Sequence, residues 1–165
     1  MVYRRNLAEM DWIELDHGVR FAHRRKMLTP LAESFAPKLG ITLYRLAPGK
    51  RAGPFHAHSA NDEAILVRKG AGALRYGEEE IPMKEGDYVH LPAASGRAHQ
   101  MINTGETDLE YFCLSSMVRP DVVIYPDSNK LAADFQTTGE DGRPIRKFSM
   151  MRHDTVDYWD GEMPE

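Results

Sequence analysis

Glycine and proline interrupt the chain at short, nearly regular intervals. Pro48-Gly49, Gly53-Pro54, Gly70, Gly72, Gly77, Pro82, Gly86, Pro92, Gly96 and Gly105 leave stretches too short for an ordinary globular helix. The stretches between are rich in β-branched and aromatic residues: ITLYRL (41–46), EAILVR (63–68), ALRYG (73–77), IPMK (81–84), YVHLP (88–92), HQMIN (99–103) and LEYFCLSSMV (109–118). No segment from 41 to 118 keeps a 3.6-residue apolar period over several turns. Many short strands joined by turns predict an all-β sandwich or barrel.

The flanks are less regular. Residues 1–40 hold a candidate strand around Gly18–His23 and a candidate helical turn at Pro30–Phe35. Beyond Pro120, DVVIYPD (121–127) reads as a further strand, 128–147 as polar loop, and 147–159 as a last strand and tail. At 165 residues, with no internal repeat, the chain is expected to be one domain: a barrel core at about 41–118 with arms at 1–40 and 119–165.

Charge narrows the partners. The 21 Lys and Arg are scattered among 25 Asp and Glu, for a net charge of −4, so no basic face for nucleic acid is expected. No run approaches the roughly 20 apolar residues of a membrane helix, and the first residues lack the pattern of a secretory signal. The single cysteine, Cys113, excludes an intramolecular disulfide and reads as a small buried hydrophobe. A cytoplasmic protein is the expectation.

The chemistry gathers in one pattern. His56 and His58 stand two apart, so on a strand their side chains share a face, with α-carbons about 6.6 Å apart. Glu63 opens the next strand-like run and His99 a later one. Three imidazoles and a carboxylate suit one divalent first-row transition metal, Zn, Mn, Fe or Ni, with coordination positions left for substrate. Arg51 and Arg97 flank His56 and His99 in sequence and are the candidate substrate-anion binders. Glu63 and His90 are the candidate catalytic proton carriers. His17, His23 and His153 have no partner pattern and are expected at the surface or in the flanks.

The stretch Gly49-KRAGPF-His56-Ala57-His58-SAND-Glu63-AILVRK-Gly70 resembles the first motif of the cupin superfamily. Gly86-DYVHL-Pro92-AAS-Gly96-RA-His99-QMI-Asn103 resembles the second. Two loops, Gly49–His56 and Pro92–Gly96, are longer than the usual pattern, and neither insertion removes a ligand position. The resemblance implies an antiparallel double-stranded β-helix, or jelly-roll barrel, of six to eight strands with the metal in one mouth. It also implies a structural Asn103 and a homodimer paired through the arms. DVVIYPDS (121–128) and VDYWDGE (156–162) look like stretches of small single-domain bacterial cupins, some of which are called sugar-phosphate isomerases. The expected function is therefore metal-dependent isomerisation of a sugar or sugar phosphate. The alternatives are a metal-dependent dioxygenase or decarboxylase of a small carboxylate, and a non-catalytic small-molecule binding or sensing cupin.

Overall fold

Alternating burial along the short strands builds the structure from two facing layers. The computed structural model describes residues 3–29, 37–142, 144–152, 154–156 and 160–161. After a short 3-10 turn at Leu7–Glu9 come β1 (Ile13–His17), β2 (Phe21–Met27), β3 (Gly40–Leu46), β4 (Ala57–His58) and β5 (Glu63–Lys69). Next are β6 (Ala71–Tyr76), β7 (Glu79–Lys84), β8 (Tyr88–Leu91), β9 (His99–Ile102) and β10 (Leu109–Ser115). β11 (Asp121–Tyr125), β12 (Lys130–Thr138) and β13 (Pro144–Arg152) complete the series.

One layer has the strand order β1-β2-β3-β10-β5-β8. The other is made of β13-β12-β11-β4 and β7-β6-β9, stitched together where His56 and His99 form an antiparallel bridge. The named strands all pair antiparallel, with one isolated parallel bridge between Phe21 and Arg51, and the arrangement is a β-sandwich of jelly-roll type whose layers remain separate sheets rather than a closed barrel. Leu46, Ile65, Val67, Leu74, Met83, Leu91, Met101, Leu109 and Tyr111 fill the space between the layers. On β5, Ile65 and Val67 are buried while Leu66 and Arg68 are exposed, the period-2 pattern of a strand with one face in the core.

Two local devices fix this geometry. Gly86 takes φ +88° in the turn between β7 and β8, a region that L side chains resist, and Asp87 Oδ2 accepts from Lys84 N at 2.8 Å. Asn103, fully buried, donates to the carbonyls of Leu46 and Thr107 and accepts from Gly105 N, tying the end of β9 to β3 as expected of a structural residue.

Three sequence expectations need correction. The region Gly18–His23 is half turn and half strand, the bend of the β1–β2 hairpin. Most of 128–147, expected as loop, lies in β12 and β13, which pair from Lys130↔Arg152 to Thr138↔Pro144 and leave only the tip as turn. Its polar residues sit on a hairpin that extends into water, where strands need no apolar face. His23 is buried, on the inner face of β2. The helical turn expected at Pro30–Phe35 and His153 lie outside the described residues.

Candidate metal centre

The strand register delivers the expected ligands to one place. His56 and His99 exchange both backbone hydrogen bonds, N to O at 3.1 and 2.7 Å, so they stand directly opposite and share a face. His58, two residues on, follows His56 inward and pairs with the buried Val123 of β11. Glu63 comes from the facing layer, on the same side of β5 as Ile65 and Val67. The centre therefore spans the gap between the sheets, with three histidines on one wall and the carboxylate on the other.

Ligand atoms of His56, His58 and Glu63 all lie within 4.8 Å of one another. His99 Nε2 donates to Glu63 Oε2 at 2.9 Å, and its ring centroid is 4.5 Å from that of His56. The side chains of His58, Glu63 and His99 are 15, 13 and 8% exposed, so all three are sheltered from bulk water.

Hydrogen bonds from behind set the tautomers. A carbonyl can only accept, so His56 Nδ1 carries the proton it donates to Pro54 O at 2.8 Å. His58 Nδ1 donates to Asp121 Oδ2 at 2.6 Å. Both Nε2 lone pairs are then left for the centre, the arrangement in which an outer acceptor orients a metal-ligating histidine. Burial favours a protonated Asp121, but the hydrogen bonds from His58, Ala60 N and Asn61 outweigh it and hold the carboxyl below its ordinary range. Burial would likewise raise Glu63. The hydrogen bond from His99 and the electrostatic influence of the neighbouring histidines, His58 first, bring it below the usual carboxylate range. Burial, reinforced by neighbouring His99, pushes His56 down to about 4, so its imidazole is neutral near pH 7, as a ligand must be. The donor set, imidazole nitrogens with one carboxylate, fits a divalent first-row transition metal.

The remaining predicted residues fall elsewhere. His90 is opposite Ala64 on β8, so it points away from the face that carries Glu63; it is 54% exposed and lies 3.8 Å from Asp62. The correction is one of strand parity: Val89 and Leu91 take the inward positions. Arg51 bridges to Ile102 and bonds Gln100 Oε1 at 3.3 Å, on the face of β9 opposite His99. Arg97 is at the rim over the Tyr76 ring, but Glu79 takes its charge at 2.6 Å.

Asp121, Tyr125 and Cys113 belong to the centre's surroundings and escaped the sequence reading of roles. Asp121 opens the apolar strand DVVIY, and a lone acid at that position was its only signal. Tyr125 stacks beside His56 at 5.9 Å. Tyr44 stacks on Tyr111 at 5.3 Å along the inner face. Cys113 Sγ is 3.8 Å from Glu63 Oε1, so it borders the centre rather than simply filling core; burial, then Glu63, keep its thiol protonated.

The family described as Cupin domain matches residues 42–115, which hold all four clustered residues. Residues 42–115 therefore match a cupin domain. The chain is 33% identical over 96 residues to auxin-binding protein 1 of Arabidopsis thaliana, covering 53% of this chain and 46% of the relative. It is 33% identical over 70 residues to the oxalate-binding protein of Thermotoga maritima, covering 42% of this chain and 55% of that protein. The chain thus spans about half the length of each of these relatives. A sugar phosphate isomerase structure from Silicibacter pomeroyi superposes with TM-score 0.69 over 90% of this chain and 92% of its own, at 21% identity, a likeness of fold.

Proposed function

We propose that this protein holds one divalent first-row metal (Zn, Mn, Fe or Ni) through His56, His58, Glu63 and His99, and isomerises a sugar or sugar phosphate there. The observation that carries the metal reading is the pair of histidines whose Nδ1 atoms are committed to Pro54 and Asp121 while their Nε2 atoms face Glu63. A bound divalent ion supplies Lewis acidity to substrate oxygens. Glu63 is the proton carrier. With one carboxylate oxygen given to the ion, the other would take a proton from the carbon beside the substrate carbonyl and return it to the adjacent carbon, and His99 would exchange its present hydrogen bond to Glu63 for the ion. Tyr125 and Cys113 border the site, and the thiol stays un-ionised beside the reacting carboxylate. His90 takes no part, because it lies on the other face of its sheet.

The test is metal analysis followed by incubation with sugars and sugar phosphates in deuterated water. About one equivalent of metal in the wild type, its loss in His58→Ala, and isomerisation or deuterium uptake support the reading. Equal metal in both proteins overturns the centre. Oxygen consumption or carbon dioxide release from a small acid replaces isomerase with dioxygenase or decarboxylase. A second reading, reversible binding of a small dicarboxylate, is favoured by the likeness to the oxalate-binding protein. It prevails if oxalate binds and emerges unchanged. We also propose that the protein works in the cytoplasm as a homodimer, its contact supplied by the β12–β13 hairpin, where Ile145, Phe148, Met150 and Met151 are exposed.

A further inference from the structure

Most arginines that could serve a substrate are already engaged. Arg45 and Arg68 share Glu110, Arg119 and Arg146 share Asp134, and Arg97 meets Glu79. Arg25 differs. It stands on β2 directly opposite Tyr44 of β3, and it has no carboxylate partner among the described residues. Its Nε is buried without a hydrogen-bond partner. Beside it on the same face, His23 is 7% exposed and packs edge-on against Tyr44 at 5.1 Å. The Ala52 backbone approaches His23, yet neither ring nitrogen makes a hydrogen bond of normal geometry.

A half-buried guanidinium facing tyrosines is costly to keep without a counter-charge. The inner face shows where one would come from. Tyr44 stands opposite Tyr111, Cys113 is two residues further along the same face of β10, and Cys113 Sγ reaches Glu63 Oε1 at 3.8 Å. This side-chain row runs without a break from the centre to Arg25. Burial first, then Cys113 and Glu63, push Tyr44 up to about 12 against the lowering pull of Arg25, which hydrogen-bonds it, so the Tyr44 hydroxyl keeps a proton to donate beside the guanidinium.

We propose that Arg25, with Tyr44 Oη donating alongside, anchors an anionic group of a small substrate whose other end lies at the His56–Glu63 centre. The anionic group is a carboxylate or a phosphate, and the guanidinium fork suits either. This rests on the proposed function for the placement of the other end. It assigns the anion-binding role, expected from the sequence at Arg51 and Arg97, to a residue on a different strand.

The test uses three probes with the same 2-hydroxy-acid end: lactate, malate and 3-phosphoglycerate. The latter two add a second carboxylate or a phosphate. Calorimetry on the metal-loaded protein should show malate or 3-phosphoglycerate binding roughly 10- to 100-fold tighter than lactate, the scale of a charge-assisted hydrogen bond. Which one gains identifies the anion. Arg25→Gln should erase that preference while lactate affinity and metal content stay at wild-type values. Arg25→Lys should retain part of the preference, and it serves as the variant if Arg25→Gln fails to fold. Three equal affinities in the wild type, no binding of any probe by protein that holds its metal, or a preference that survives Arg25→Gln overturns the proposal. If the wild type holds no metal but still prefers the dianions through Arg25, the metal centre fails and the anchor stands.

Discussion

His58 is held from both sides, by Asp121 behind and by the centre in front, and the two contacts can be separated by mutation. Asp121→Asn keeps an oxygen for Ser59 N and Ala60 N but removes the charge that favours the His58 Nδ1 proton. Metal affinity is expected to fall about 10- to 100-fold, with the fold intact by circular dichroism; competition with a chelating dye measures it. His56 sets a pH limit on the metal-free protein. Its folded pKa of about 4 lies below the ordinary 6.5, so between those values the unfolded chain takes up a proton that the folded chain refuses. Stability is therefore full above about pH 6.5 and falls as the pH drops toward 4. Buried His23, also lowered, adds the same sign. Glu63 and Asp121, held below their ordinary values, add losses only at still lower pH. Melting temperatures of chelator-treated protein across pH 4–8 check this, and a flat profile would contradict it.

At the scale of elements, the barrel strands were legible because turn residues punctuate them and one face of each is apolar. ITLYRL became β3 and EAILVR became β5 with ends shifted by one residue. The same alternation made His56, His58, Glu63 and His99 legible as neighbours. It failed at His90, because a four-residue strand shows too little of its pattern to fix parity, and YVHL reads equally well in either register. It failed again at His23, because FAHRRKM looks like a charged surface segment. Arg24 is exposed beside Glu14, while Lys26 on the same face is covered by Trp12 and donates to Leu7 O, and the alternate positions face the core. The β12–β13 hairpin was misread because much of it has no core to face. Phe148 and Met150 lie on the same face as buried Ala132 yet are 51 and 47% exposed. If this hairpin meets a second copy, Phe148→Glu combined with Met150→Glu should convert a dimer to a monomer by light scattering. An intact protein that is already monomeric would refute the contact.

Across the whole molecule, the three histidines belong to one layer of the sandwich and Glu63 to the other. An ion held among them is also a rivet through two plates. Prying the layers apart must strip the ion of its carboxylate, so unfolding and metal release become one event rather than two. The melting temperature of the loaded protein should rise with added free metal, and metal release, followed by dye, should coincide with loss of β-sheet signal. Glu63→Gln, which leaves all three imidazoles on their own plate, should uncouple the two curves. The chemistry that would make this protein an enzyme thus doubles as a fastener, and a protein starved of metal would be looser between its sheets as well as inactive.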